Sequence, residues 1–153
     1  MLHRRRIIRH VRTDDAFVTP AHYDLVYLRH GTDRVYTSWI PLGDSPPERA
    51  GLLYLEGSHR YFRAEDPRSG HRYDGTHVTV DLPALAERLD SRWLWADFRV
   101  GDMVVHSPYA VHASLDNTDA GRVMRLSTDI RYQLRSDPAD QRWTDHWRDD
   151  DGL

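Results

Sequence analysis

Val123-Met124-Arg125-Leu126-Ser127-Thr128-Asp129-Ile130-Arg131-Tyr132-Gln133 alternates between two kinds of side chain along its whole length. Successive residues of an extended chain point to opposite sides. Met124, Leu126, Thr128, Ile130 and Tyr132 therefore share one face, and Arg125, Ser127, Asp129 and Arg131 share the other. This is the longest strand expected, and shorter ones precede it. Val35 to Ile40 is rich in β-branched and aromatic residues and ends at Pro41. Leu52 to Leu55 is closed by Gly57-Ser58, His77 to Val80 forms a further strand, and Asp102 to His106 is entered through Gly101. Gly43 to Pro47 reads as a loop. Two stretches read as helical. Asp81 caps the first, with Pro83 in its first turn and Leu82, Leu85, Leu89 and Trp93 at helical spacing. Asp137-Pro138 opens the second, which places Trp143 and Trp147 one turn apart. Many short strands with little helix predict an antiparallel sandwich or jelly-roll barrel.

Composition sets the outer bounds. The chain has 153 residues, with 21 basic against 24 acidic side chains and a formal net charge of −3. That length suits one domain, residues 1–153, with residues 1–18 as an N-terminal strand or arm and 134–153 as a C-terminal helical segment. No apolar run reaches the roughly 20 residues of a membrane-spanning helix, so no membrane partner is expected. Met1 to Arg6 is basic but has no apolar stretch like that of a secretory signal. Cysteine is absent, which excludes a disulfide framework and thiolate chemistry. A cytoplasmic location is the expectation. Every basic residue is Arg, so lysine nucleophiles and Schiff bases are also excluded. Ten His remain, and with Cys missing they and the carboxylates are the means of holding a transition metal. Arg4, Arg5, Arg6, Arg9 and Arg12 form a basic arm before the first acid, Asp14. A nucleic-acid contact is one reading of such an arm and a strand edge is the other. The net acidic charge favours the second, and no nucleic-acid partner is expected.

Three features carry chemistry. In His22-Tyr23-Asp24, an extended backbone brings imidazole and carboxylate to one side, two adjacent positions around a metal. A third imidazole would complete a two-His, one-carboxylate set, which leaves open positions and suits non-haem Fe(II). The run from Gly101 to Asn117 supplies two more candidates, His106 on a strand and His112 after a tight loop. Thirteen residues beyond His112 stands Arg125, followed by Ser127 on the same face. An inward Arg needs a counter-charge: either a small dicarboxylate gripped by the guanidinium fork, or an acid of the domain such as Asp129 or Asp102.

Taken in order, these pieces resemble the phytanoyl-CoA dioxygenase family of Fe(II)- and 2-oxoglutarate-dependent oxygenases. The resemblance runs from about Thr19 to Gln133. It rests on Thr19 to Asp24, Trp39 to Asp44, Gly51 to Arg60, Gly101 to Asn117 and Arg125-Leu126-Ser127. It implies a mainly β double-stranded β-helix, a cupin-like jelly roll with one or two short helices. It also implies His22, Asp24 and His112 as iron ligands, with His112 chosen over His106 by the family pattern. Arg125 would bind the distal carboxylate of 2-oxoglutarate, helped by Ser127 or Ser114. Trp39 matches a tryptophan lining the co-substrate pocket, and it reads equally as a core aromatic. His59, in Gly-Ser-His-Arg, reads as a turn residue, and His30, His71 and His77 as solvated or structural. The implied reaction hydroxylates a small molecule with dioxygen and releases succinate and carbon dioxide. Asp24 disfavours halogenation, since related halogenases carry a small residue there. The alternative is a catalytically degenerate metal-binding jelly roll. Only 21 residues precede His22, where the family usually carries a much longer segment that braces the barrel. An exposed sheet face and a homo-oligomer that covers it are the corresponding expectations.

Overall fold

The computed structural model describes residues 1–15, 18–65 and 77–149. The reading of His71 lies outside these residues. Among the described residues the chain forms β1 (Ile7–Val11), β2 (Val35–Pro41), β3 (Leu52–Leu55), α1 (Ser58–Ala64), α2 (Leu82–Arg88), β4 (Trp93–Trp95), β5 (Val104–His106), β6 (His112–Ser114), β7 (Arg125–Gln133) and α3 (Gln141–Thr144). The strands make two antiparallel sheets, one ordered β1-β7-β2-β5 and the other β4-β3-β6. This is the mainly β jelly-roll architecture that the strand pattern implies.

The basic N-terminal segment is a strand. Ile7 to Val11 pairs with β7 from Asp129 back to Arg125. Arg5 is buried, its guanidinium donating to the His146 carbonyl at 3.0 Å and lying 4.6 Å over the Trp147 ring. Three of the five arginines of the arm are therefore committed to contacts within the chain: Arg5 with His146 and Trp147, Arg9 through an ion pair with Asp129 at 2.9 Å, and Arg12 locally with Asp15 at 3.1 Å.

Several local expectations change in the folded chain. His77 to Val80 is not a strand but a single bridge, Thr79 to Ala21. The helix begun by Asp81, whose carboxylate accepts from the Ala84 amide, stops at Arg88, and Trp93 starts β4 instead. Its indole donates to the Leu82 carbonyl at 2.8 Å, so the helical spacing of Trp93 reflects packing on α2 rather than membership of it. Gly57-Ser58 does not simply close β3. Gly57, at φ 68°, turns the chain into α1, and His59 lies on that helix. Asp137 does not cap the last helix. It pairs with Arg34, and Asp140 is the cap, accepting from the Arg142 amide. The helix ends at Thr144, so Trp147 meets Trp143 from beyond it, edge to face with centroids 6.3 Å apart.

One core cluster joins Tyr23, Leu25, Val26, Leu28, Val35, Leu55, Phe62, Leu85, Val111 and Trp143. A smaller one joins Trp39, Leu52 and Phe98 between the two sheets. β7 crosses the site between them, its residues alternately buried and less buried from Arg125 to Gln133. Arg125, Ser127, Asp129 and Arg131 face inward, and Leu126 faces out. No helix among the described residues is long and apolar enough to cross a membrane.

Candidate metal centre

His22 and His112 are directly opposed across an antiparallel bridge. Each amide donates to the other's carbonyl, at 3.0 and 2.9 Å. A pair that exchanges both backbone bonds carries its side chains on the same face of the ladder. The ring centroids are 4.2 Å apart. Tyr23 continues the extended backbone for one residue, and Asp24 then opens a short 3-10 turn that carries its carboxylate back under the imidazoles. Donor atoms of His22, Asp24 and His112 lie within 4.8 Å of one another, and all three residues are buried. Convergence thus comes from a bridge and a turn, where the sequence suggested one continuous extended segment.

The tautomers follow from the backbone. His22 Nδ1 donates to the Pro20 carbonyl at 2.9 Å, and His112 Nδ1 to the Ala110 carbonyl at 3.0 Å. A carbonyl can only accept, so each Nδ1 carries hydrogen and each Nε2 keeps a lone pair for a metal. Burial lowers the pKa of His22, and it holds that of His112 well below the usual imidazole value, reinforced by neighbouring His22 and His106. Both rings stay neutral, the form that ligates.

Asp24 is held by three side chains in one row across the larger sheet. The register aligns Arg131 on β7 with Thr37 on β2, and Thr37 with His106 on β5. Arg131 reaches one carboxylate oxygen at 3.3 Å. The Thr37 hydroxyl donates to the other, which also lies 3.4 Å from His106 Nε2. Burial alone would raise the pKa of Asp24, but Arg131 and His106 more than offset it and hold the carboxyl well below its usual value. His106 is anchored in turn, its Nδ1 2.9 Å from the Tyr54 hydroxyl. His106, the first histidine of the Gly101–Asn117 run, therefore braces the carboxylate, and its ring stands 4.6 Å from that of His112. Thr37, Tyr54 and Arg131 escaped the sequence reading. Arg131 alone had a signal, its place on the Arg125 face of the alternation.

Arg125 is 2 % exposed, and no hydrogen bond or ion pair reaches its side chain among the described residues. Asp129, one candidate counter-ion, is taken by Arg9. Asp102 bonds the Arg99 amide instead. Burial, with some repulsion from Arg9, pushes the Arg125 pKa down to about 10, so the guanidinium remains charged at neutral pH. It sits 5.9 Å from the Trp39 ring and shares a narrow cavity with His22, His112, Trp39 and Ser114. Trp39 lines this cavity and also packs on Leu52 and Phe98. The Ser127 hydroxyl is buried without a partner, whereas Ser114 bonds the Leu115 carbonyl at 3.1 Å. His30 and His77 are far less buried and take no part in the cluster.

The donor set fits ferrous iron, with two neutral imidazoles and one carboxylate on a single side. A buried guanidinium without a counter-ion, beside the same cavity, fits the far carboxylate of 2-oxoglutarate. Fold and site define a jelly-roll protein with a two-His, one-carboxylate centre. A family model for phytanoyl-CoA dioxygenase (PhyH) matches residues 1–125, and the chain belongs to that family. Iron and 2-oxoglutarate are the family's metal and co-substrate, and the chain carries donors for both. Solved structures with the same fold include the non-heme alpha ketoglutarate dependent carbocyclase SnoK from nogalamycin biosynthesis (22% identity, TM-score 0.65, 90% of this chain and 51% of that one). The epimerase SnoN, solved with Fe3+, alpha ketoglutarate and nogalamycin RO, is 20% identical with a TM-score of 0.69, over 90% of this chain and 52% of that one. The non-heme monooxygenase ThoJ is 20% identical with a TM-score of 0.67, over 90% and 48%. The chain spans about half the length of these proteins.

Proposed function

We propose that this protein is an Fe(II)- and 2-oxoglutarate-dependent dioxygenase that hydroxylates a small organic molecule, releasing succinate and carbon dioxide. The observation that carries the reading is the pairing of two features beside one cavity: the buried His22, Asp24 and His112 cluster and the unpartnered Arg125. Iron held there supplies dioxygen activation coupled to oxidative decarboxylation of the co-substrate. The chain's own contribution is orientation. His22 and His112, locked in one tautomer by Pro20 and Ala110, present Nε2 to the metal. Asp24 completes the set while Arg131, Thr37 and His106 fix its plane. Arg125 holds the distal carboxylate of 2-oxoglutarate, with Ser127 or Ser114 donating a further bond and Trp39 forming the wall of the site. Burial of all of these excludes the water that would compete for charge. Because Asp24 occupies the position that would otherwise admit a halide, hydroxylation is favoured over halogenation.

The test is succinate formation by the chain supplied with Fe(II), 2-oxoglutarate and dioxygen. Metal-dependent succinate supports the enzyme, since slow uncoupled turnover needs no primary substrate. Metal uptake without succinate would instead support a degenerate metal-binding jelly roll. We also propose that two copies associate through the outer face of the larger sheet, where Ile8, Tyr36, Val105 and Leu126 are exposed.

A further inference from the structure

Beside the metal cluster lies a second cavity of about 670 Å³, between β1, the chain after His22, and the C-terminal segment. Its size is that of a site for a drug-sized molecule. Its wall has two chemical characters. Tyr27 and the exposed Trp147 supply ring surface, with Trp143 buried beneath the Arg131 guanidinium, and Arg9, Arg29, Arg131 and Arg142 supply guanidiniums, with no carboxylate among the lining residues. Arg9, Arg131 and Arg142 are paired from behind the wall by Asp129, Asp24 and Asp140. A metal on Asp24 draws on the carboxylate that Arg131 uses, which leaves the wall more positive. Arg131 is also 2 % exposed, and its Nε and Nη1 have no partner, an arrangement that is costly unless something accepts from them. Two wall residues touch the metal cluster. The Tyr27 ring meets His22 edge-on at 5.4 Å, and Arg131 reaches Asp24 at 3.3 Å.

We infer that this cavity takes the primary substrate and that the substrate is an aromatic or otherwise flat polycyclic acid, its rings against Tyr27 and Trp147 and its carboxylate on the arginines. The inference depends on the dioxygenase reading only for the word substrate; the ligand chemistry stands on the cavity itself. Flat rings lose little conformational freedom on entering such a slot, and a carboxylate offers the guanidiniums two charged acceptor oxygens where an amide offers one neutral oxygen.

The experiment titrates the full chain with 2-naphthoate and with 2-naphthamide, metal-free, by calorimetry. Naphthoate should bind at least ten times more tightly than the amide. Arg9→Gln should erase most of that preference, and Trp147→Ala should weaken both ligands, with Trp147→Phe restoring them. Equal binding of acid and amide, no binding of either, or indifference to all three variants would overturn the inference. Mn(II) and 2-oxoglutarate are then added, and the naphthoate proton lines should broaden from proximity to the metal. Sharp lines on a metal-loaded chain would also overturn it. Failure to take up Mn(II) counts against the dioxygenase reading alone, because the acid-over-amide preference is read without metal.

Discussion

The inner face of β7 carries Arg125, Ser127, Asp129 and Arg131, and its outer face carries Leu126, Ile130 and Tyr132, so the polar side is the buried one. A half-buried antiparallel strand ordinarily shows the reverse. The inversion teaches what each face is for. Charge inside is tolerated only where it is paired or awaits a ligand. Arg131 has Asp24, Asp129 has Arg9, and Arg125 has no hydrogen-bond or ion-pair partner among the described residues. The outer face has no such chemistry. Its exposed Leu126 continues onto Ile8 of β1 and Tyr36 of β2, while Trp143 and Trp147 pack on the inner side against Arg131 and Arg5. The inner face carries the candidate metal centre and the outer face carries exposed apolar side chains, the surface proposed above for self-association.

The largest effect should come from the ligands that the inner face supports. His112→Ala should weaken Fe(II) or Co(II) uptake by at least about 100-fold, more than loss of a supporting partner of a ligand costs, measured anaerobically by calorimetry. Unchanged uptake would show that the inward charge serves packing alone. Next is Arg125→Lys, in which an ammonium replaces the fork. The 2-oxoglutarate concentration for half-maximal succinate should rise about 10- to 100-fold, the equivalent of one or two charged hydrogen bonds. No change would remove Arg125 from the site and make its burial unexplained.

A third expectation concerns pH. Burial lowers the pKa values of His3, His22 and His112 from 6.5. Below pH 6.5 the unfolded chain takes up protons that the folded chain refuses, so the unfolded state binds more and stability falls as pH falls. The metal-free chain should melt at lower temperature at pH 5.5 than at pH 7, its unfolding free energy falling by up to about 1.4 kcal/mol per pH unit for each such group. A melting temperature flat across this range would mean that the imidazoles are not held neutral. The smallest effect on stability belongs to the outer face. Ile8→Asp should change unfolding free energy by no more than about 0.5 kcal/mol, yet abolish association seen by sedimentation at increasing concentration. If the unaltered chain sediments as a monomer throughout, the contrast between the faces has some other cause.

Alternation over Val123–Gln133, the β-branched run at Val35–Ile40 and the Asp81-x-Pro83 start are local signals. They foretold β7, β2 and α2 because each depends on neighbours within a few residues. His-x-Asp, a later His and the Arg beyond it were legible as an ordered series for the same reason: spacing along a chain survives without coordinates. What the spacing could not supply was pairing. His22 and His112 meet because two segments ninety residues apart exchange backbone hydrogen bonds. Asp24 is clamped because strand register aligns Arg131, Thr37 and His106, residues that no sequence window contains together. Long-range register also separated Trp93 from the helix it mimics and took Asp129 away from Arg125, giving it to Arg9. The sequence by itself determined which side chains could do the chemistry, since donor type and face are set residue by residue. Only the tertiary structure decided which of ten histidines became neighbours, because a cross-strand pair is stabilised by contacts that neither strand makes alone.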